Sequence, residues 1–194
     1  RREVYATTGS RIGVRFFAGW NYEESDLHGR GLLDVAYGSG VPMGGDLTAA
    51  PEGKSTRFLL VATKDPNGAN LDRVQIIKGW LNADGKLQEK VYDVAWSGDR
   101  LPDKTTGKLS AVGNTVDVAS ATYQNTIGAP QLTAFWQDPD FDPDARAFYY
   151  ARVLEIPTPR WTTYDAAYFK LTLDDEVPRT IQDRAYTSPI WYTP

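Results

Sequence analysis

The sequence predicts a mainly β fold, an antiparallel β-sandwich with long loops and one or two short helices. About seven to nine short segments carry strand patterns, clusters of Gly, Pro, Asn and Asp separate them, and helix signals are few. With 194 residues, the chain is long enough for one sizeable core. Its 41% hydrophobic and 24% charged residues match an ordinary globular domain and argue against disorder.

The first half of the chain predicts two strands and a tight loop. Residues 11–16 alternate polar and apolar side chains, which is typical of a half-buried strand. Residues 57–63 form a continuous apolar run that predicts a central strand, and the turn cluster Asp-Pro-Asn-Gly at 65–68 ends it. The glycine-rich residues 38–46 lack the spacing and the following helix of a phosphate-binding loop, so they indicate a tight loop between strands.

The middle of the chain predicts a β-hairpin followed by the longest loop. Residues 72–97 contain two β-branched and aromatic runs joined by Asn-Ala-Asp-Gly at 82–85. Residues 99–113 have weak patterning and many turn residues, which indicates a loop. Strand patterns resume at residues 115–119 and 132–136.

The last third predicts one more core strand, a terminal strand and the clearest helix signal. Residues 147–156 are aromatic and β-branched, and Pro-Thr-Pro ends the run. Residues 188–192 form the last predicted strand, and residues 163–170 predict one or two helical turns. A second helix signal, over residues 26–37, is weakened by glycines.

Four aspartates recur at alternate positions in the segment 138–144. Asp138, Asp140, Asp142 and Asp144 supply the oxygen ligands that calcium prefers, so they form a candidate calcium site. However, two prolines stiffen the segment, and the glycine and distal glutamate of an EF-hand are missing. The favoured interpretation is that these aspartates form side-chain turns before the next strand.

The charge pattern argues against nucleic acid as a partner, and the length of the apolar runs argues against a membrane span. The net charge is −4, and the 21 basic residues are scattered among 25 acidic ones without the basic stripe that nucleic acid requires. No apolar run reaches the roughly 20 residues that span a bilayer. Cysteine is absent, so disulfides and thiolate metal sites are excluded.

The only histidine is His28, which lies close to Ser25 and Asp26 in the sequence. Sequence neighbours seldom form a catalytic triad, so a surface or loop position is the favoured interpretation for His28.

Large aromatic residues are concentrated in the C-terminal half. Trp136, Trp161, Tyr164, Trp191 and Tyr192 lie there. Aromatic side chains dominate both protein cores and interfaces, and packing in one of these is the favoured interpretation. Stacking on sugar rings is the alternative. A row of exposed rings on one flat face would favour sugar binding, whereas one broad apolar patch near Arg1 would favour docking.

Several stretches together resemble a known family. They are Val4 to Arg11, Val41 to Leu47, Asp65 to Asp72, Phe148 to Trp161 and Tyr186 to Pro194. They are similar to the C-terminal third of a large bacterial family of unknown function, which is related to the PHP (polymerase and histidinol phosphatase) metallohydrolases. The resemblance covers nearly the whole chain.

The resemblance implies that a metal-dependent hydrolase-like barrel precedes Arg1 and carries the histidine and aspartate ligands of a divalent metal. Residues 1–10 are then the junction, and residues 11–194 are one β-sandwich domain. The absence of a starting methionine supports the expectation that the chain is the C-terminal part of a longer protein. The fragment itself is expected to hold no cofactor and no catalytic residue. Family members commonly have an exported character, which favours a periplasmic location.

The resulting expectation is an accessory domain that packs on the catalytic barrel of the same polypeptide and helps to shape its substrate cleft. Arg11, Arg160, Trp161 and Tyr164 are the candidate contact residues, because arginine and large aromatic residues are enriched at interfaces. The alternative is a module that binds carbohydrate or another envelope polymer through exposed aromatic rings. An independent hydrolase has the least support.

Overall fold

Two large β-sheets pack face to face, and β10 and β11 form a separate two-stranded sheet. A computed structural model describes residues 2–82 and 84–194. Its strands, in chain order, are β1 (Tyr5–Thr7), β2 (Gly13–Gly19), β3 (Gly40–Pro42), β4 (Asp46–Thr48), β5 (Arg57–Thr63), β6 (Leu71–Leu81), β7 (Leu87–Trp96), β8 (Gln131–Gln137), β9 (Ala147–Glu155), β10 (Thr158–Pro159), β11 (Thr180–Ile181), β12 (Arg184–Thr187) and β13 (Ile190–Thr193). The helices are a 3-10 helix (Glu24–His28), α1 (Leu32–Gly38) and α2 (Trp161–Phe169).

The larger sheet is centred on β9. One edge of β9 pairs with β6, which also pairs with β7, and the other edge is shared by β12 and β13. Outside these, β1 runs antiparallel to β12, and β4 runs parallel to β13. The smaller sheet has the antiparallel order β3-β2-β5-β8. The predicted β-sandwich is confirmed.

The core lies between the two sheets because both present alternating apolar side chains to it. Phe16 and Phe58 from the smaller sheet are fully buried and stack with ring centroids 5.5 Å apart. Ile76, Tyr149 and Val153 from the larger sheet face them and are also buried. The outer face of the smaller sheet is covered in turn by α1 and the 3-10 helix.

Most of the predicted strands are confirmed. The run at 57–63 is β5, the hairpin is β6 and β7, the run at 132–136 lies within β8, and the run at 147–156 contains β9. The first strand lies slightly later than predicted, at Gly13–Gly19, and the last is Ile190–Thr193. Each of these segments carries either a period-two pattern or a continuous apolar run, which is why local sequence located them.

The strand predicted at residues 115–119 is wrong. The Asp117 carboxylate accepts a hydrogen bond from the Ala119 amide at 2.9 Å, which forms a side-chain turn in place of a ladder. Only an isolated bridge between Asp117 and Thr122 is present there. The predicted long loop therefore extends well beyond Gly113, up to the start of β8.

The helix signals are confirmed with different bounds. The signal at 163–170 becomes α2, which ends at Lys170 in a left-handed conformation. The signal at 26–37 is split by its glycines into the 3-10 helix and α1. No helix in the described part of the chain is long and apolar enough to cross a membrane.

The short strands β1, β3, β4, β10, β11 and β12 were not predicted. They are two to four residues long, so their pairing depends on neighbours that are distant in sequence. The predicted junction segment contains one of them, since β1 pairs with β12 at the edge of the larger sheet.

Candidate functional site

Strand β9 connects two ends of the sandwich that differ in character. Its first residue, Ala147, and its last, Glu155, lie about 25 Å apart at about 3.3 Å per residue. We call the Glu155 side the helix end; it comprises α2, Ser10, Arg11, Asp65, Tyr123, Glu155, Arg179 and Asp183. We call the Ala147 side the hairpin end; it comprises Lys78, Trp80, Leu81, residues 138–148 and Trp191.

The helix end presents an aromatic stripe on α2. Trp161, Tyr164 and Tyr168 are three and four residues apart in succession, which places them on one side of the helix. Their exposed fractions are 65%, 46% and 81%. Phe169, at the end of α2, is also exposed. Such a stripe on a helix normally faces a core or a partner.

Glu155 is a buried carboxyl group at the inner side of the helix end. Its exposed fraction is 1%, and its Oε1 atom has no hydrogen-bond partner within the described residues. Burial raises the pKa of Glu155 to about 7; the Ser10 hydroxyl opposes this shift, and the carboxylates of Asp183 and Asp65 add to it. Near neutral pH the group is therefore poised between its two protonation states.

Further unpartnered polar atoms surround α2. The described residues contain five buried side-chain atoms without a partner, and four of them belong to the helix end. These four are Ser10 Oγ, Glu155 Oε1, Thr162 Oγ1 and Arg179 Nη1. Each such group leaves a desolvation penalty of about 1–3 kcal/mol uncompensated. Their concentration at one end sets it apart from the rest of the sandwich.

The sequence-predicted contact residues come together at this end. Arg160 occupies the N-cap position of α2, without a capping hydrogen bond from its side chain, and directly precedes Trp161. Arg11 is exposed, and Asp65 Oδ2 accepts hydrogen bonds from its backbone N at 2.8 Å and its Nε at 3.3 Å. The Arg11 backbone amide is the main cause that lowers the pKa of Asp65.

Two tyrosines extend the helix end toward the long loop. Burial raises the pKa of Tyr164, and the nearby Asp183 carboxylate adds to the shift. Burial also raises the pKa of Tyr123, with contributions from Tyr164 and Glu155. The tyrosine in the loop and the tyrosine on the helix thus lie in one electrostatic neighbourhood with the buried glutamate.

The hairpin end is organised by a buried ion pair. Lys78 Nζ lies 2.7 Å from Asp138 Oδ2, and the two side chains are 4% and 0% exposed. Tyr149 donates its hydroxyl to the same carboxylate oxygen at 2.7 Å, and Lys78 also donates to the Asp140 carbonyl at 2.6 Å. The loop that follows β8 is therefore held at its base from two directions.

The four candidate calcium ligands have different surroundings. Asp138 is bound to Lys78, while Asp140 accepts from Lys90 at 2.5 Å and from the Tyr92 hydroxyl at 2.6 Å. The Lys90 ammonium is the main cause that lowers the pKa of Asp140. Asp142 and Asp144 remain exposed, and Asp142 forms the expected side-chain turn by accepting from the Asp144 amide at 2.9 Å.

No group of three or more His, Asp or Glu side chains arranged to hold a metal is found among residues 2–82 and 84–194. Calcium binding by the aspartate segment stays an untested alternative to the side-chain turns.

Two grooves meet at the hairpin end. One, of about 700 Å³, lies between the end of β6 and the aspartate loop, and the other, of about 360 Å³, lies between β6, β9 and β13. The two grooves share four lining residues, Trp80, Leu81, Arg146 and Ala147.

The remaining sequence candidates are His28 and the glycine-rich segment 38–46. His28 is exposed at the end of the 3-10 helix, as expected. The glycine-rich segment forms the predicted tight turn between β3 and β4, with Gly44 at a φ of 81°. Its amides donate to protein carbonyls, since Gly44 N binds Pro189 O and Gly45 N binds Pro42 O.

Sequence reasoning did not single out Glu155, Tyr123, Asp183, Arg146 or Phe148 as site residues. One signal was available for Glu155, which is an ionisable residue at a core-facing position of the alternating strand β9. The other four needed the tertiary structure, because the segments that they contact are distant in sequence.

The whole chain, residues 1–194, matches the sequence model of the family described as "Protein of unknown function (DUF3604)". This chain belongs to that family. The resemblance to a family of unknown function is thereby confirmed for the DUF3604 chain, and the relation to PHP metallohydrolases is carried forward as a proposal. Neither the comparison with curated proteins nor that with solved structures yields a match.

Proposed function

We propose that this chain is an accessory β-sandwich domain of a larger metal-dependent hydrolase-like protein, and that its helix end packs on the catalytic domain. One observation carries the proposal: an exposed aromatic stripe and a cluster of buried, unpartnered polar atoms occur at the same end of the sandwich.

The physical argument is one of complementarity. Tryptophan and tyrosine gain the most free energy when a partner covers them, because each combines a large apolar area with a polar atom. Unpartnered polar atoms such as Glu155 Oε1 and Arg179 Nη1 lie buried at the same end, and each leaves part of its desolvation cost uncompensated. A docked domain covers the exposed rings of α2.

The resemblance supplies the identity of the partner. It implies an N-terminal barrel in the same polypeptide that holds a divalent metal, so the accessory domain shapes the cleft without providing the chemistry.

By itself, the 194-residue chain is expected to show no metal-dependent phosphatase, sulfatase or esterase activity. Robust turnover by the purified chain would overturn the proposal. An exported, periplasmic location is proposed on the same resemblance.

Hydrogen exchange of α2 tests the docking surface. We compare the 194-residue chain with the polypeptide that the complete reading frame encodes. The amides of α2 should exchange more slowly in the longer polypeptide, because docking covers Trp161, Tyr164 and Tyr168. Residues 87–91 of β7 at the hairpin end are the internal control and should exchange equally in both. Equal exchange of α2, or a reading frame without upstream His-x-His and Asp ligands, would contradict the proposal.

A matched pair of variants adds a second test. Trp161→Ala in the longer polypeptide should weaken the coupling between domains and split one calorimetric transition into two. Leu87→Ala is the control, because Leu87 is 73% exposed at the hairpin end. An unsplit transition in Trp161→Ala would place the interface elsewhere.

A specific observation favours the second candidate function, carbohydrate binding. On the outer face of the larger sheet, Phe148 stacks with Tyr150 at a centroid distance of 6.5 Å and lies 5.3 Å from Trp191. Tyr186 continues the row 6.5 Å beyond Tyr150. The row ends at the groove of about 360 Å³, which Phe148 and Trp191 line.

A further inference from the structure

Part of strand β2 has a neighbouring strand on one side only. On one side, β5 pairs with β2 along its whole length. On the other side, β3 pairs only with Phe17, Ala18 and Gly19. The chain then turns at Gly44, with a φ of 81°, and continues as β4 in the larger sheet. Residues 13–16 of β2 therefore have no strand on the β3 side, and we call this stretch the free edge of β2.

One hydrogen bond shows which backbone groups point to the free edge. The Met43 amide donates to the Phe16 carbonyl at 2.8 Å, so the backbone groups of Phe16 point to the β3 side. In an antiparallel sheet, alternate residues turn their N–H and C=O groups to the same side. Val14 therefore turns its N–H and C=O groups to the free edge, while Arg15 turns its own to β5. Backbone groups at a free edge are a template for an added strand.

A cavity of about 430 Å³ follows this edge. Its lining includes residues 13–17 of β2, Glu3 and Tyr5 of the N-terminal segment, Tyr37 of α1, and Met43. Ligand pockets commonly have volumes of about 300 to 1,000 Å³. The free edge itself is about 13 Å long at about 3.3 Å per residue, which is the length of a four-residue extended peptide.

Arg15 determines which charge a peptide at this edge should carry. Its side chain is exposed beside the cavity and forms no ion pair within the described residues. The acidic residue of the cavity, Glu3, accepts a hydrogen bond from the Tyr37 hydroxyl. Cross-strand neighbours lie about 5 Å apart on one face of a sheet, and opposite charges there stabilise the pairing. The next side chains of an added strand lie on the face of Val14 and Phe16, which are buried, so apolar ones fit.

We propose that the free edge of β2 binds an extended peptide of another molecule as an added strand, with a carboxylate side chain beside Arg15 and apolar side chains beside Val14 and Phe16. Main-chain hydrogen bonds supply the affinity in this mode of recognition, and the alternating side chains supply the selectivity. The cavity is lined by the N-terminal segment, β2, α1, Met43 and β5, so the proposal does not depend on the docking of α2.

A titration followed by amide NMR of the 194-residue chain tests this proposal. The probe is the blocked peptide Val-Glu-Val-Glu-Val, and Val-Lys-Val-Lys-Val is its matched control. The acidic peptide should shift the amide signals of Val14, Arg15 and Phe16, slow the hydrogen exchange of Val14, and bind at least tenfold more tightly than the basic one.

Three outcomes of this titration would overturn the proposal. The first is no shift at Val14 with millimolar acidic peptide, or a preference for the basic peptide. The second is a set of shifts confined to β7, which also pairs on one side only. The third is a Val14 amide that is already protected before peptide is added, because the edge would then be filled by the chain itself or by a second copy.

Variants of β2 separate the backbone contact from the side-chain contact. Val14→Pro removes the N–H group that points to the free edge and leaves the pairing with β5, so it should weaken binding of the acidic peptide at least fivefold. Val14→Ala, which loses the same side chain and keeps the N–H group, is the control and should bind within twofold of the wild type. Near-ultraviolet circular dichroism confirms that each variant is folded.

Arg15→Gln keeps the proposal testable if Val14→Pro fails to fold, because Arg15 is exposed. It should abolish the preference for the acidic over the basic peptide. An unchanged preference in Arg15→Gln, or equal binding by folded Val14→Pro and Val14→Ala, would overturn the assignment.

Discussion

Two buried carboxyl groups lie at opposite ends of the sandwich, and their surroundings differ. At the hairpin end, Asp138 Oδ2 accepts from Lys78 and Tyr149, each at 2.7 Å, and Oδ1 accepts from the Asp140 amide at 2.9 Å. At the helix end, Glu155 Oε1 has no partner within the described residues. A fully paired buried charge stabilises one loop conformation, whereas an unpaired buried carboxyl group leaves its desolvation cost uncompensated and shifts its pKa.

The largest expected effect comes from breaking the paired group. Asp138→Ala leaves the buried Lys78 ammonium with the Asp140 carbonyl alone, so the free energy of unfolding should fall by about 3–5 kcal/mol in urea denaturation. Lys90→Ala is the control, because the Lys90–Asp140 pair is half exposed and its loss should cost at most about 1 kcal/mol. Equal losses in the two variants would remove the distinction between the buried and exposed pairs.

The unpaired carboxyl group of Glu155 should make the free energy of unfolding depend on pH. The pKa of Glu155 is about 7 in the folded chain and 4.5 ordinarily. As pH rises from 4.5 to 7, the unfolded chain releases a proton that the folded chain keeps, so stability falls in this window. The expected loss is about 3 kcal/mol at 1.36 kcal/mol per pKa unit.

Glu155→Gln isolates this contribution because glutamine does not titrate. The difference in the free energy of unfolding between the variant and the wild type should grow in favour of the variant from pH 4 to pH 8. Parallel curves over that range would show that Glu155 has an ordinary pKa and a partner.

The aromatic stripe should contribute little to the stability of the 194-residue chain. Tyr168→Ala removes a ring that is 81% exposed, so its free energy of unfolding should stay within about 0.5 kcal/mol of the wild type. Phe58→Ala, which removes a fully buried ring, should cost about 3–5 kcal/mol. A large loss in Tyr168→Ala would mean that the stripe already packs on its own domain.

The smallest expected effect concerns calcium at the aspartate segment. Because Lys78 occupies the Asp138 carboxylate and Lys90 that of Asp140, we expect the Tm to be the same in chelator and in millimolar calcium. A site filled at 100 times its Kd would instead raise the Tm by about 5–10 °C. A shift of that size would restore the calcium interpretation and would show that the two ion pairs open.

Part of the candidate site was predictable from the sequence. Arg160, Trp161 and Tyr164 were selected because they are residue types enriched at interfaces, and the structure places them on α2 or at its cap. The two grooves at the hairpin end were not predicted, because Trp80, Arg146 and Trp191 belong to three distant segments. Asp138 was considered as a metal ligand, since its true partner Lys78 lies 60 residues away in the chain.

By itself, the sequence determined the fold class and the long strands, because alternation, apolar runs and turn residues act over a few neighbouring positions. It also determined that the chain has no cysteine and little net charge. Only the tertiary structure decided which buried carboxyl group is paired. Asp138 follows β8 and Glu155 is the last residue of β9, and neither sequence context shows that a lysine pairs with Asp138 while Glu155 has no ion pair within the described residues. That outcome depends on strand register and loop packing across the whole sandwich.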